Sequence, residues 1–197
     1  MRRISTHLAL LSQKIQSETI SWGEVHEELG QEAPLLALVF LSVPFLQPIP
    51  LPALSTALGL LMIFLGVCVS LNKNFALPRS FKKLVLPQIF FSLMLKTLSF
   101  ILSKAERLIH PRGIVFIEHP AIQFLSGIMI IISSFFLMLP LPPGFNFPPA
   151  LICCIVSLAI LEKDCVLLCI GTLFFILEAG LLYLAITWIK QLIYIYF

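Results

Sequence analysis

Two long stretches of this chain carry no charged side chain, and a run of prolines interrupts each of them. The stretches are Ala33 to Asn72 and Ala121 to Leu161. Each is about 40 residues long, roughly twice the ~20 residues that a helix needs to cross a bilayer. Proline lacks a backbone N–H and breaks a helix interior at a cost of about 3 kcal/mol. Each stretch is therefore predicted to form two apolar helical arms around a break. The prolines are Pro44, Pro48, Pro50, Pro52, Pro140, Pro142, Pro143, Pro148 and Pro149.

The composition places most of the chain in lipid. Hydrophobic residues make up 59% of it and charged residues only 12%, whereas a soluble domain has about 25% charged residues. Two further apolar stretches, 84–103 and 165–189, hold one charge each, Lys96 and Glu178. We therefore predict an all-α integral membrane protein with about four to six membrane helices and no soluble catalytic domain.

The pattern of charges and prolines divides the chain into five regions. The first is an N-terminal amphipathic segment, whose Ser21–Glu24 fits a capping box, at the cytoplasmic face or membrane interface. Two proline-broken membrane hairpins are joined by a basic linker with its own apolar or interfacial helix, and a C-terminal membrane helix follows. In order, these regions are 1–32, 33–72, 73–120 (with the helix at 84–103), 121–164 and 165–197.

The two hairpins resemble each other in sequence. Phe40–Pro44 matches Phe136–Pro140, and Leu51–Leu54 then matches Pro148–Leu151 after a one-residue gap. The aligned prolines predict a weak internal repeat, in which each half reads apolar helix, proline-rich break and apolar helix.

Arm lengths leave two interpretations of the breaks. At 1.5 Å per residue, Ala150 to Leu161 reaches only about 18 Å, against a hydrocarbon core of about 30 Å. Either the breaks are tips of re-entrant helices that build a binding site inside the membrane, or they are exposed turns between tilted spans. Asn146 and Gln47 lie within the breaks. Each is predicted either to bind substrate or to cap its own turn.

Carboxylates in apolar surroundings are the other candidate site residues. Glu178 lies near the middle of the last apolar helix, where an ionisable side chain is costly and indicates a functional site. Its predicted roles are an ion pair with Lys96 or a proton relay. Glu162 and Asp164 flank Lys163, and this charged triplet is either an interfacial turn or part of a polar cavity.

The basic residues are expected on the cytoplasmic side, because positive loops tend to stay there. Arg79, Lys82 and Lys83 are predicted to contact phosphate or lipid head groups. Nucleic-acid binding is not expected, since it needs a basic soluble face. The five cysteines form no C-x-x-C pair and the four histidines have no metal-ligand spacing, so no metal, cofactor or catalytic residue is predicted.

Seven short motifs follow one another along the chain, and their order and spacing are more informative than any one of them. They are Ser21–Gly30, Pro48–Ser55, Ala57–Gly59, Leu77–Pro78, Glu106–Arg112, Leu139–Gly144 and Leu161–Asp164. This order resembles the ExoD family of bacterial exopolysaccharide-synthesis membrane proteins from about Glu18 to Ile186. The chain departs from the family pattern at Ala53 and Cys165, where glycine is common, and at Leu61, where proline is common. The resemblance implies an inner-membrane protein linked to exopolysaccharide production or envelope maintenance, and it supplies no reaction mechanism.

Three classes of function remain open from the sequence. The first is a non-enzymatic membrane protein that binds or translocates an anionic lipid-linked saccharide precursor. The second is a non-catalytic scaffold subunit that positions polysaccharide-synthesis proteins. A membrane enzyme is third, because no nucleophile, base and metal-ligand set is evident. The lipid bilayer is the expected partner, and the oligomeric state stays open.

Overall fold

The computed structural model describes residues 33–46, 52–71, 113–139 and 145–196. The N-terminal segment and the predicted linker helix at 84–103 lie outside this part of the chain. The described residues form helices and turns, with no β-strand among them. The helices are α1 (Ala33–Ser42, followed by a 3-10 turn at Val43–Leu46), α2 (Pro52–Leu71), α3 (Ile114–Ile117), α4 (Pro120–Met138), α5 (Phe147–Glu162) and α6 (Cys165–Tyr196).

The described prolines lie where a helix tolerates them. Pro44 lies in the 3-10 turn that follows α1, and Pro52 is the first residue of α2. Pro148 and Pro149 fall in the first turn of α5, where the backbone N–H groups have no helical partner and a missing N–H costs little. The other prolines of the two runs, Pro48, Pro50, Pro140, Pro142 and Pro143, lie outside the described residues.

Helices α2 and α4 pack against each other as an antiparallel pair. Gly59 of α2 lies against Met138 at the end of α4, whereas Gly127 early in α4 lies against Ser70 near the end of α2. A Cβ atom added to Gly127 would lie only 2.5–2.6 Å from backbone and Cβ atoms of Ser70. Small residues therefore let the two backbones approach closely, as in many membrane helix pairs.

Helices α1 and α5 form the interior of the described bundle. α5 packs against α1, α4 and α6, and α1 packs against both α5 and α2. Within α5 only Phe147 is exposed, and within α1 every residue except the half-buried Pro34 is buried. The core includes Leu38, Ile130, Ile152 and Val156, each at most 1% exposed. Both short arms of the predicted hairpins are thus surrounded by protein.

Within the part of the chain that the structure describes, two helical segments are long and apolar enough to cross a membrane, Pro120–Met138 and Cys165–Tyr183, each of 19 residues. The outer face of α6 is exposed along much of this length, at Leu173, Ile176, Leu177, Leu181 and Tyr183. The predicted all-helical class is confirmed for the described residues, and the total of four to six membrane helices stays a prediction. The short helix α3, inside the region predicted as a basic linker, was not expected.

Candidate functional site

Glu178 is buried where α6 meets α4. Its side chain is 8% exposed, and its Oε2 accepts a hydrogen bond from the Oγ of Ser133, a fully buried residue, at 3.0 Å. Among the described residues, no cationic side chain lies within ion-pairing distance of this carboxylate; Lys163 pairs instead with Glu118. The predicted partner Lys96 lies outside the described residues. A hydroxyl is therefore the contact seen for the buried carboxylate.

A second polar contact lies next to the first. Ser134 Oγ and Cys153 Sγ are 3.5 Å apart, and either atom can donate the hydrogen bond. Successive residues of an α-helix point about 100° apart, so α4 presents Ser133 to α6 and Ser134 to α5. All four side chains are at most 8% exposed. We refer to Ser133, Ser134, Cys153 and Glu178 as the Glu178 cluster.

Further small polar side chains continue along α5. Cys154 lies within hydrogen-bonding reach of Ser42 at the end of α1. One turn beyond Cys153, the Ser157 hydroxyl is fully buried and has no hydrogen-bond partner among the described residues. These small polar side chains and the Glu178 cluster therefore lie in the interior between α1, α4, α5 and α6.

The charged triplet 162–164 forms the turn between α5 and α6. Lys163 has a left-handed backbone, with φ of 55°, and the Asp164 N–H bonds to the carbonyl of Ala159 at 3.0 Å to end α5. Asp164 Oδ1 then accepts the N–H of Val166 at 2.9 Å, as a helix N-cap does. The Lys163 ammonium turns outward and pairs with Glu118.

Comparison with known proteins gives one consistent result. A family model described as "Exopolysaccharide synthesis, ExoD" matches residues 4–184. The chain belongs to the ExoD family. A curated relative, Protein ExoD of Rhizobium meliloti (strain 1021), is 29% identical over 190 residues, which cover 94% of this chain and 77% of the relative. No solved structure matches. The family resemblance carried by the sequence motifs is thus confirmed.

This ExoD-family structure does not gather all the predicted site residues in one place. Glu162 and Asp164, 8% and 1% exposed, lie at the α5–α6 turn. Glu178 follows about 20 Å further along α6 at 1.5 Å per residue. Asn146 precedes α5 without a side-chain capping bond, and within the described part of the chain its buried Oδ1 has no hydrogen-bond partner. Gln47, Arg79, Lys82 and Lys83 lie outside the described residues, so their predicted binding roles stay predictions.

Sequence reasoning about this ExoD-family chain missed the partners of Glu178. Ser133 and Ser134 were not singled out, and Cys153 was considered only as one of five cysteines that form no C-x-x-C pair. Two adjacent serines inside a 19-residue apolar helix were the available signal. The capping role of Asp164 was also missed, although aspartate just before an apolar helix is a favoured N-cap. Among the described residues, no group of three or more histidine, cysteine or acidic side chains is placed to hold a metal ion.

Proposed function

We propose that this chain is a non-enzymatic, multi-pass protein of the bacterial inner membrane that supports exopolysaccharide synthesis by binding or translocating an anionic lipid-linked precursor. The family supplies the pathway, and the Glu178 cluster is the observation that carries the proposal. An ionisable side chain buried between apolar helices is expensive and is typical of substrate, ion or proton pathways. A protein that only spans the bilayer has no need of one.

The enclosed short helices support a translocation role. α5 has 16 residues and therefore reaches about 24 Å, less than the ~30 Å of a hydrocarbon core. α1 is shorter still, with 10 residues and a 3-10 turn. Helices that stop inside a membrane need protein around their ends, and both α1 and α5 are enclosed by neighbours. In many transporters such paired, interrupted helices border the substrate site.

The packing also supports the proposed internal repeat. The repeat aligns α1 with α4 and α2 with α5. The packing of α2 against α4 in one half should therefore have a counterpart in the packing of α5 against α1. Both helix pairs do make extensive contact. Thr56 Oγ1 donates to the carbonyl of Met138 at 3.3 Å. In the repeat alignment, Thr56 corresponds to Cys153 and Met138 corresponds to Ser42. Cys154, the residue after Cys153, lies within hydrogen-bonding reach of Ser42. We infer two related halves that meet around the polar interior.

The alternative function is a non-catalytic scaffold subunit of a polysaccharide assembly machine. The exposed apolar face of α6, which includes Leu173, Ile176 and Leu181, is the observation that favours it. Such a face suits either lipid or an apolar helix of another subunit. In a scaffold, the Glu178 cluster would serve only to hold α4 against α6.

Complementation separates these two functions. A strain that lacks the gene and has an exopolysaccharide defect receives the Glu178→Gln variant, with Glu118→Gln as the control, because Glu118 is an exposed carboxylate in the turn between α3 and α4. We expect Glu178→Gln to reach normal membrane levels without restoring exopolysaccharide, and Glu118→Gln to restore it. Full restoration by Glu178→Gln would exclude the carboxylate site.

Vesicle flux tests the movement itself. The purified protein is reconstituted into vesicles that contain a fluorescent polyprenyl-diphosphate sugar, and the share of probe reachable from outside is followed over time. We expect the wild type to speed the transfer of intact probe across the bilayer and Glu178→Gln to slow it to the rate of empty vesicles. Chemical conversion of the probe would instead indicate an enzyme.

A further inference from the structure

We propose that Glu178 is an exchangeable proton site inside the membrane bundle, with Ser133 as the group that sets how tightly the proton is held. The inference deepens the proposed translocation, on which its biological role rests, because a proton bound midway along α6 is a means of coupling precursor movement to the proton gradient. The occupancy of the site can be measured without any precursor.

The burial of Glu178 and its small number of polar partners are the first reason to expect a bound proton. Moving an ionised carboxylate from water into an apolar interior is unfavourable unless opposite charge or several hydrogen bonds compensate. Glu178 is 8% exposed and receives one hydrogen bond, from Ser133. No cationic side chain of the described residues lies within ion-pairing distance of it. A proton neutralises the group without any rearrangement of the helices.

The neighbouring groups are compatible with binding and release. On α4, the side chain that bonds the carboxylate is the uncharged Ser133; on α5, the titratable side chain near it is Cys153, which contacts Ser134. The third described helix that contacts α6 is α3, which is made of four apolar residues. No fixed charge on these helices holds Glu178 permanently in its ionised form. The Ser133 hydroxyl can donate to the carboxylate and can rotate to accept from the acid, so it accommodates both states.

The donor set favours a proton over a metal cation. Hard cations such as Ca²⁺ and Mg²⁺ take about six or more oxygen ligands. The Glu178 cluster offers one carboxylate and two hydroxyls, and its fourth member is the sulfur of Cys153, which suits soft metals. A glutamine would make a similar bond with Ser133 without any cost of ionisation. The choice of glutamate therefore points to an ability to change charge.

Carbodiimide labelling tests the site directly. N,N′-Dicyclohexylcarbodiimide is apolar and adds to a protonated carboxylic acid. The acid proton passes to a carbodiimide nitrogen, the carboxyl oxygen bonds to the central carbon, and the acyl group then migrates to nitrogen as a stable N-acylurea. Membranes that contain the full-length protein are labelled across a pH series, and the modified peptides are quantified by mass spectrometry. Glu118, exposed in the turn between α3 and α4, is the internal control.

We expect Glu178 to be labelled at low pH, with the yield falling as pH rises, and Glu118 to remain unlabelled. Ser133→Ala removes the donor that favours the charged form. A hydrogen bond to a charged group contributes about 1.5–3 kcal/mol, so the pH of half-labelling should rise by about one unit or more. Ser157→Ala removes a buried hydroxyl outside the cluster, and we expect no shift from it.

Three results would overturn the proton site. The first is no labelling of Glu178 at any pH in folded protein. The second is a half-labelling pH that Ser133→Ala leaves unchanged. The third is protection of Glu178 by sodium chloride but not by choline chloride at the same pH, which would indicate a metal cation instead. If labelling behaves as expected but Glu178→Gln restores exopolysaccharide, the proton site stands and its role in translocation fails.

Discussion

Helices α5 and α6 follow each other through a single turn, yet their surroundings differ completely. Every α5 residue after Phe147 is buried or half-buried. In α6, by contrast, large apolar side chains such as Leu173, Ile176 and Leu177 are each more than half exposed. α5 has 16 residues and α6 has 32. One helix thus has protein on all sides, and the other has protein on one side.

The positions of small and polar residues account for this difference. In α5 they occur on two faces, with Ala150, Cys153, Cys154 and Ser157 along one face and Ala159 on the opposite face, so neighbouring helices can approach from more than one direction. In α6 the buried positions Leu168, Gly171 and Glu178 recur at spacings of three and seven residues, which places them on one face. Overall hydrophobicity does not separate the two helices, because both are strongly apolar.

The largest effect is expected at the α2–α4 contact that supports this interior. Gly127→Leu adds a side chain where even a Cβ would lie 2.5–2.6 Å from Ser70, so the helices must separate. Overpacking typically costs about 1–3 kcal/mol and occasionally more. Because backbone atoms lie on the other side of this contact, we expect a cost above that range, up to loss of the folded protein. The fraction of monodisperse protein after detergent extraction measures it.

Gly180→Leu is the matched control for that substitution. Beyond the backbone of α6 itself, no atom of the described residues lies within 4 Å of a Cβ built at Gly180, so the new side chain meets open space. We expect extraction equal to the wild type. Equal damage from both variants would mean that the close α2–α4 approach does not limit stability.

The next largest effect on stability is expected from truncating a buried isoleucine of α5, and an exposed isoleucine of α6 is the comparison. Ile152 of α5 is 1% exposed and Ile176 of α6 is 61% exposed. Ile152→Ala leaves a cavity and should destabilise the protein by about 2–5 kcal/mol. Ile176→Ala should change stability by about 0.5 kcal/mol or less. Thermal unfolding in a mild detergent measures both, and similar losses would contradict the assignment of α5 to the interior.

A smaller effect is expected where α6 begins. Asp164→Ala removes the acceptor for the Val166 N–H and should lower stability by about 0.5–2 kcal/mol. Asp164→Ser keeps a capping oxygen and should recover most of that loss in the same unfolding assay. If serine and alanine destabilise equally, Asp164 stabilises the turn through another interaction.

The smallest effect is expected from the ion pair at this end of the bundle. Lys163→Met removes the partially exposed pair with Glu118, and such pairs contribute about 0–1 kcal/mol. The unfolding temperature should hardly change, and raising the salt concentration should bring the wild type closer to the variant. A loss as large as that of Ile152→Ala would show that the pair fastens α4 to the α5–α6 turn.

The sequence made part of this structure predictable. The uncharged stretches and their prolines indicated the helices and their interruptions, because charge and proline act locally. The partners of Glu178 were not predictable, since Ser133 lies 45 residues away and only the packing of α4 against α6 brings it close. Likewise, Glu162, Asp164 and Glu178 were all candidate site residues by their apolar surroundings, but about 20 Å of α6 separates Glu178 from the other two.

Photolabelling from the lipid phase tests the central claim most directly, that α6 faces lipid while α5 is enclosed by protein. Native membranes are treated with an apolar diazirine that inserts into side chains it contacts, and the modified residues are mapped by mass spectrometry. The structure predicts labelling at Leu173, Ile176 and Leu177 and none between Ile152 and Ala159. Labelling along α5, or its absence along α6, would contradict this arrangement and the site built on it.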